Sequence, residues 1–451
     1  MHEQFRPAQV LQFARRKARR YWLNYGFFWL GAVLVGLVAV LFARWGDLAQ
    51  LQFQRWLAGR AWLALLITPL LTAACVWTTR RFFTGSEGSG IPQVIAALHA
   101  PDRVRLIPGL FGLRIIVGKI GIGLLGLLGG LTIGREGPTV HIGASIMYEM
   151  RRFYPRASPK LERNLLLAGA AAGLSGAFNT PLAGIVFAIE ELARSFDTRT
   201  NGTLITAIVF SGLVSLALAG NYLYFGQISV PDMLPLSAAA PVLVAAVLCG
   251  VGGGCFNRLL LHQAVWIPRR LLAIRATQPL WWGAGLGLLI AAIGIATGGD
   301  TWGSGYHQAR ALLMNETDTV GVIYPFVKMA TMVLTYLSGI PAGLFSPSLS
   351  IGAGFGHVTA SLFPGAPASA LIAVCMVGYL AAVTQSPLTS FIIVMEMSDG
   401  GGLLIPLMAT ALIASRVANL FTPPLYEALA TQNYAPPKPP PAAAAPPPAR
   451  D

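Results

Sequence analysis

The sequence predicts an all-helical protein that crosses a membrane many times and is built from two related halves. Of its 451 residues, 55% are hydrophobic and only 11% are charged, whereas an ordinary soluble domain carries about 25% charged residues. Apolar stretches recur between residues 21 and 421, and many approach the ~20 residues that a membrane-spanning helix needs. The clearest predicted spans are residues 27–43, 61–76, 204–219, 241–251 with its extension, and 403–420.

The net charge of +14 does not indicate a nucleic-acid-binding surface, because a large part of it lies in one short segment. Basic residues next to a first membrane span are typical of a cytoplasmic flank. Residues 1–20 are therefore predicted to be a basic cytoplasmic segment, either a helix on the lipid surface or a topology signal alone. A signal peptide is not expected, since its apolar region would be shorter and a small-residue cleavage site would follow. The basic residues are Arg6, Arg15, Arg16, Lys17, Arg19 and Arg20.

No cofactor and no metal site are expected. The cysteines stand singly in apolar stretches without metal-ligand or CxxC spacing, so packing roles are favoured; they are Cys75, Cys249, Cys255 and Cys375. The Pro/Ala-rich end, residues 431–451, is predicted to be a disordered tail, so no soluble regulatory domain is expected after Leu429.

Three short blocks occur in the same order in both halves, which indicates an internal duplication of the kind common in transporters. They are GSG (88–90), GREGP (134–138) and NTPL (179–182), matched by GSG (303–305), GLFSP (343–347) and QSPL (385–388). The offsets are 215, 209 and 206 residues (88 to 303, 138 to 347, 181 to 387). Residues 21–225 are assigned to a first transmembrane repeat, and residues 226–430 to a second repeat with a final cytoplasmic helix. By analogy with transporters built from broken helices, the repeats are expected to be inverted.

Three loops place glycine or a small residue shortly before a proline and then an apolar run: GSGIP (88–92), GREGP (134–138) and GLFSP (343–347). Proline favours the first turn of a helix, and glycine lets the chain turn sharply. Each loop therefore predicts the start of a broken helix, which a membrane tolerates only where it is buried or lines a cavity. Helix N-termini suit an anion, and several partial charges can bind a halide without trapping it. The alternative is ordinary helix breaks; for three related loops, the ion pathway is favoured.

Four acidic residues lie in or beside apolar segments: Glu136, Glu190, Glu191 and Glu396. An ionised side chain at the bilayer centre costs roughly 2.5–3.5 kcal/mol on insertion scales, and burial favours the protonated form of a carboxyl group. Glu136 lies within a predicted anion-binding loop, so its carboxylate could occupy an anion site when charged and leave when protonated. The alternative for Glu136 is a helix-capping acid. For Glu190 and Glu191 the alternative is a position at the aqueous boundary, and for Glu396 a structural role is favoured.

The three loop motifs, together with PLY (424–426), resemble the CLC family of chloride channels and chloride/proton antiporters over residues 21–429. The resemblance implies an all-α CLC-type fold of two inverted repeats with broken and re-entrant helices. It further implies a homodimer with a separate pathway in each subunit. The chain is similar to a bacterial member without cytoplasmic nucleotide-sensing domains. We therefore expect a multi-pass protein of the bacterial inner membrane with both termini in the cytoplasm.

By the same resemblance, chloride would be bound by the hydroxyls of Ser89 and Tyr426 and by the backbone N–H groups of Leu344 and Phe345. In the family, a serine in the first loop accompanies chloride and a proline accompanies nitrate. Chloride is therefore the expected anion.

The resemblance also assigns the proton chemistry. Glu136 matches the gating glutamate that competes with chloride for the outer site. Glu191 matches the inner proton-transfer glutamate of the antiporters, which channels of the family generally lack. Arg135 and Lys119 match basic residues near the pathway and are expected to give electrostatic support. The expected function is exchange of chloride for protons, and the alternative is a passive voltage- or pH-gated chloride channel of the same fold.

Two positions depart from the family pattern, since Gln93 stands where relatives often have Glu, and His141 where Gln is common. Neither is expected to touch the inferred chloride ligands, and His141 is expected to be structural. An intramembrane serine protease is a remote alternative, suggested by Ser175 and by later histidines such as His307 and His357. The small residues around Ser175 favour close helix packing, and no HExxH, GxSxG or P-loop motif supports enzymatic chemistry.

Overall fold

The computed structural model describes residues 25–99, 109–154, 158–194, 201–220, 223–227, 236–316, 320–398 and 401–434. Within these ranges the chain forms 19 α-helices, and backbone pairing between extended segments is limited to two isolated bridges. The basic segment predicted at residues 1–20 and the tail after residue 434 lie outside the described residues. The final helix ends at Tyr434, so helical structure continues past residue 430, where the tail was predicted to begin.

The helices of the first repeat are α1 (Phe27–Leu57), α2 (Ala64–Phe82), α3 (Ile91–His99), α4 (Leu113–Leu128), α5 (Glu136–Met150), α6 (Pro159–Phe178), α7 (Pro181–Phe187) and α8 (Asn201–Ala219). A π-helical turn, Ala188–Ala193, continues α7. The second repeat contains α9 (Ala239–Leu261), α10 (Gln263–Trp266), α11 (Arg269–Thr277), α12 (Pro279–Ala296), α13 (Tyr306–Leu313), α14 (Tyr324–Leu337), α15 (Phe345–Leu362), α16 (Ala368–Thr384), α17 (Pro387–Ser398) and α18 (Leu404–Asn419). Helix α19 (Leu425–Tyr434) follows.

Six described segments are long and apolar enough to cross a membrane. Five overlap the spans predicted from the sequence, and the sixth, Pro279–Ala296, is additional. Other helices are too short to span: α5 has 15 residues, which at 1.5 Å per residue gives about 22 Å against a hydrocarbon core of about 30 Å. The first twelve residues of α5 are all buried, so this helix begins inside the protein and not at its surface.

The two repeats pack their helices in the same way. Helix α5 lies along α6 as α15 lies along α16, and α1 contacts α6 and α8 as α9 contacts α16 and α18. The closest approaches are also equivalent, since a Cβ atom at Gly143 would collide with the carbonyl of Gly169, and one at Gly352 with the carbonyl of Cys375. Small residues at these crossings let the helix backbones touch.

The backbone pairing between the repeats is that expected of an inverted arrangement. Gly134 and Gly343, which are equivalent by the 209-residue offset of their motifs, exchange two backbone hydrogen bonds of 2.9 and 3.1 Å in antiparallel orientation. Equivalent residues that pair in this way are related by a local two-fold axis. A second equivalence between the repeats is the end of a helix, because α6 and α16 both end on a left-handed residue, Asn179 and Gln385, each with φ of 58°.

We predict that Gly143→Ala destabilises the protein, because the added methyl group meets the Gly169 backbone and overpacking typically costs 1–3 kcal/mol. Gly121→Ala is the matched control, since a Cβ atom there meets open space. Thermal unfolding of the purified proteins in detergent should show a lower midpoint for Gly143→Ala only. Equal midpoints would contradict the close α5–α6 crossing.

Candidate anion-binding site

Three helix starts meet in the interior. The amide of Gly88 donates to the carbonyl of Ile340, and the amide of Ala342 donates back to the carbonyl of Gly88, each at 3.0 Å. The Gly134–Gly343 pair ties the GREGP loop to the same strand-like segment. The loops that precede α3, α5 and α15 are therefore joined by backbone hydrogen bonds. A helix begins at or within each loop motif, as the glycine and proline pattern predicted.

Two hydroxyl groups at this junction are buried and free to bind a ligand. Ser89 is 2% exposed and Tyr426 is 0% exposed, and the two hydroxyls lie side by side. Within the described residues, neither has a well-formed hydrogen bond to another protein atom. A Cβ atom at Gly137 would collide with the Ser89 hydroxyl, so the start of α5 adjoins the pair. Because buried polar groups in proteins are almost always paired, these hydroxyls indicate a site for a hydrogen-bond acceptor.

The start of α15 supplies backbone donors beside these hydroxyls. Leu344 is the N-cap residue and Phe345 begins the helix, and both side chains are 1% exposed. The Phe345 ring stacks on the Tyr426 ring at 6.1 Å, with 8° between the planes. The first N–H groups of a helix have no partner within the helix and carry its positive dipole end. This end of α15 is suited to an anion.

A carboxylate already lies at this helix end. Glu136 begins α5 and is 1% exposed. Its Oε1 accepts a hydrogen bond of 2.6 Å from the Ser346 hydroxyl, and its Oε2 accepts one of 3.3 Å from the Ser346 amide. Glu136 therefore caps a helix, as the alternative interpretation proposed, but the helix is α15 of the other repeat. It binds donors that an anion would otherwise use.

A polar cluster lies next to Glu136 on one side of the site. Arg135 forms an ion pair with Asp47 at 2.8 Å, donates to the carbonyl of Ala43, and donates to the Tyr224 hydroxyl at 3.3 Å. These residues line a cavity of about 260 Å³, which Tyr306 also lines. We call this the Arg135 cavity.

A second cavity reaches the site at Ser89. It has a volume of about 650 Å³ and is lined by Ser89, Arg80, Arg275, Tyr336 and Tyr434, among others. We call it the Ser89 cavity. The anion-binding groups adjoin both cavities. Ser89 lines the Ser89 cavity, and Arg135, the neighbour of Glu136 in the chain, lines the Arg135 cavity.

Two buried lysines hold the glycine loops. Lys119 donates to the carbonyl of Gly88 at 2.7 Å, next to Ser89. Lys328 donates to the carbonyls of Thr301 and Gly303, each at 2.8 Å. Both lysines are 0% exposed. Lys328 is not conspicuous in the sequence by itself, although the repeat offset of 209 residues (119 to 328) relates it to Lys119.

Glu191 lies apart from Glu136, within the π-helical turn that continues α7. It is 2% exposed. Its Oε2 accepts a hydrogen bond from the Ser386 hydroxyl, and its Oε1 has no partner among the described residues. Single π-helical turns occur frequently at functional sites. A buried carboxyl group with one free oxygen can take up a proton, so Glu191 fits a proton-transfer role.

Glu190 and Glu396 cap helices reciprocally. Glu190 accepts from the amides of Leu388 and Thr389 at 3.0 and 2.6 Å. Glu396 accepts from the amides of Leu182 and Ala183 at 3.1 and 2.7 Å. Each carboxylate binds the first N–H groups of the equivalent helix in the other repeat. This geometry is the structural role favoured for Glu396, and it gives Glu190 the same role.

The remaining candidates from the sequence make structural contacts. The Nε2 of His141 donates to the carbonyl of Leu110 at 2.7 Å, and the Gln93 amide donates to the carbonyl of Glu87 at 2.8 Å. The Ser175 hydroxyl donates to a backbone carbonyl at 3.4 Å, whereas a nucleophile would donate to a base. The contacts of Ser175 do not support a protease.

We predict that Lys119→Met weakens halide binding about tenfold, because it removes the buried amino group that lies next to Ser89. Lys328→Met is the matched control: it leaves two carbonyls unpaired and should lower thermal stability, by about 1–3 kcal/mol, while halide affinity stays within about twofold. Isothermal titration and thermal unfolding separate the two effects. An equal loss of halide affinity in both variants would show that loop integrity, and not the Lys119 charge, matters.

Comparison with known proteins agrees with this geometry. The family model described as "Voltage gated chloride channel" matches residues 71–419. The H(+)/Cl(-) exchange transporter ClcA of Yersinia pestis bv. Antiqua (strain Angola) is 32% identical over 433 residues, covering 89% of this chain and 86% of the relative. ClcA of Salmonella paratyphi A is 32% identical over 388 residues, covering 83% and 79%.

Solved structures share the fold. A slow cyanobacterial Cl⁻/H⁺ antiporter superposes with a TM-score of 0.75 at 26% identity, covering 90% of this chain and 97% of the other. A CLC-type fluoride/proton antiporter superposes with a TM-score of 0.74 at 22% identity, covering 89% and 96%; at this identity the likeness concerns the fold alone. Together with the helix starts that meet at Glu136, these matches show that the chain belongs to the CLC family of membrane transport proteins.

Proposed function

We propose that this protein is a secondary active transporter that exchanges chloride for protons across the membrane. One observation carries the proposal: the Glu136 carboxylate binds the start of α15 through Ser346, where an anion would bind. The names of the relatives described above, which are exchange transporters and antiporters, support the same activity.

In this mechanism chloride is held by the hydroxyls of Ser89 and Tyr426 and by the N–H groups of Leu344 and Phe345. The charged Glu136 carboxylate competes for the neighbouring donors. Once protonated, the group loses its charge and most of its strength as an acceptor, so it leaves and an anion takes its place. Loss of the proton restores the competitor. Movement of the anion therefore requires movement of a proton.

Glu191 provides a second proton position in this mechanism. Its carboxyl group is buried, has one free oxygen and is bound by Ser386. In this mechanism the proton reaches Glu136 by way of Glu191. Lys119 and Arg135 supply positive charge near the path, and neither side chain is required as a direct ligand. A passive channel would not need a second buried acid, so Glu191 favours exchange.

We further propose that two chains form a homodimer in the bacterial inner membrane, with both termini in the cytoplasm. Helices α7 and α17 pack together and expose Leu182 and Leu388, each 45% exposed. Beside them Glu190 and Glu396 are only partly buried. A second copy with the same surface would cover both the leucines and the carboxylates, as an isologous two-fold contact does. The bacterial relatives and the basic residues of segment 1–20 support the location.

We predict that an imposed pH gradient drives chloride uphill in proteoliposomes, because each chloride that moves must be accompanied by proton movement in the opposite direction. Chloride and proton fluxes recorded in the same vesicles test this. A reversal potential that does not change with pH would support the channel instead.

The same assay, applied to variants, identifies the residues that couple proton movement to chloride movement. Glu136→Gln and Glu191→Gln should each abolish proton movement while chloride still flows, since neither amide titrates. Glu396→Gln is the control, because its carboxylate caps a helix, and coupling should persist. Intact proton coupling in Glu136→Gln would remove its gating role.

We predict that Leu388→Cys, in a Cys255→Ser background that removes the exposed native thiol, forms a disulfide-linked dimer in inner-membrane vesicles. Leu70→Cys is the control: Leu70 is 70% exposed on α2, which packs against α12. Non-reducing electrophoresis after mild oxidation measures the product. Equal cross-linking at both positions, or none at Leu388→Cys, would contradict the proposed dimer face.

A further inference from the structure

Ser346 carries a buried hydroxyl that the mechanism above uses only as a partner of Glu136. We propose that this hydroxyl is a direct ligand of the outer anion position, donating alternately to the Glu136 carboxylate and to the chloride that replaces it. The inference rests on the proposed function and deepens it, because it names a residue that sets the affinity of this position for both competitors.

The first argument is the geometry of the bound carboxylate. Both donors of Ser346 are used, the hydroxyl on Oε1 at 2.6 Å and the amide on Oε2 at 3.3 Å. The side chain is 3% exposed. Short hydrogen bonds from a hydroxyl to an ionised oxygen are about twice as strong as neutral ones. The carboxylate therefore marks where an anion meets the Ser346 hydroxyl.

The second argument is the position of Ser346 in its helix. Buried hydroxyls inside helices commonly donate back to the carbonyl four residues earlier, as Thr139 does to Arg135 and Thr359 does to Phe355, each at 2.8 Å. Ser346 is the second residue of α15. The residue four positions earlier lies outside the helix, so this return bond is lacking and the hydroxyl is directed to the site.

When Glu136 is protonated and leaves, the Ser346 hydroxyl keeps its place and its direction. A buried donor without a partner is unfavourable, and the interior offers the incoming chloride as the nearest acceptor. Ser346 therefore stabilises whichever anion is present. The other repeat has no counterpart, because the position equivalent to Ser346 by the 209-residue offset is Gly137, where a side chain would collide with Ser89.

The test measures chloride binding with the competitor removed. In a Glu136→Ala background, isothermal titration with chloride should show binding about tenfold weaker when Ser346→Ala is added. Thr359→Ala is the control, since Thr359 is buried on the same helix and its hydroxyl donates to the carbonyl of Phe355 in that helix; affinity there should stay within about twofold. Ser346→Cys keeps the volume with a weak donor and should weaken binding in the same direction, should the alanine protein not fold.

The outcomes separate this inference from the proposed function. Chloride affinity that is unchanged by Ser346→Ala, or lowered equally by Thr359→Ala, overturns the role of the hydroxyl and leaves chloride transport standing. Absence of chloride binding in the Glu136→Ala protein itself contradicts the proposed function, and the inference with it.

Discussion

The unpaired N–H groups at the start of α15 are the feature on which the rest of the structure depends. A helix that begins inside a membrane protein leaves several donors without partners, and no water in the bilayer core can satisfy them. The chain meets this constraint by bringing a carboxylate from the other repeat, Glu136, to Ser346. The donors can then be satisfied by that carboxylate or by a dissolved anion. The competition between the two follows from the need to satisfy one set of donors.

The two repeats share their scaffold and differ in their chemistry. Lys119 and Lys328 hold equivalent glycine loops by the carbonyl groups, and Glu190 and Glu396 cap equivalent helices, so these features keep the symmetry. The hydroxyls of the two glycine loops break the symmetry. The Ser304 hydroxyl oxygen accepts a hydrogen bond from the Tyr306 amide, whereas the Ser89 hydroxyl has no protein partner among the described residues. A duplicated scaffold can place two helix starts together, and asymmetric substitution of a few side chains then gives one site and not two.

Much of this could be predicted from the sequence, since glycine and proline patterns encode local backbone conformation directly. They located the broken helices, and the buried acids stood out because charge is costly in an apolar segment. The partners of those acids could not be read in the same way: Ser346 is 210 residues from Glu136, and Ser386 is 195 residues from Glu191. Such contacts depend on how the repeats pack. The repeat offset does carry part of that information, and applied to Lys119 it would have pointed to Lys328.

The tethered carboxylate also explains how a strongly attractive site can release its ion. A buried ammonium group, two free hydroxyls and a helix dipole together would hold a halide tightly, and tight binding opposes transport. Glu136 belongs to the same chain and lies at the start of α5. The effective concentration of its carboxylate at the donors is therefore high and does not depend on the chloride concentration in solution. It can therefore displace a halide that dilution alone would remove slowly. In the proposed mechanism only a proton neutralises this competitor, so the group that speeds release also couples the anion to the proton.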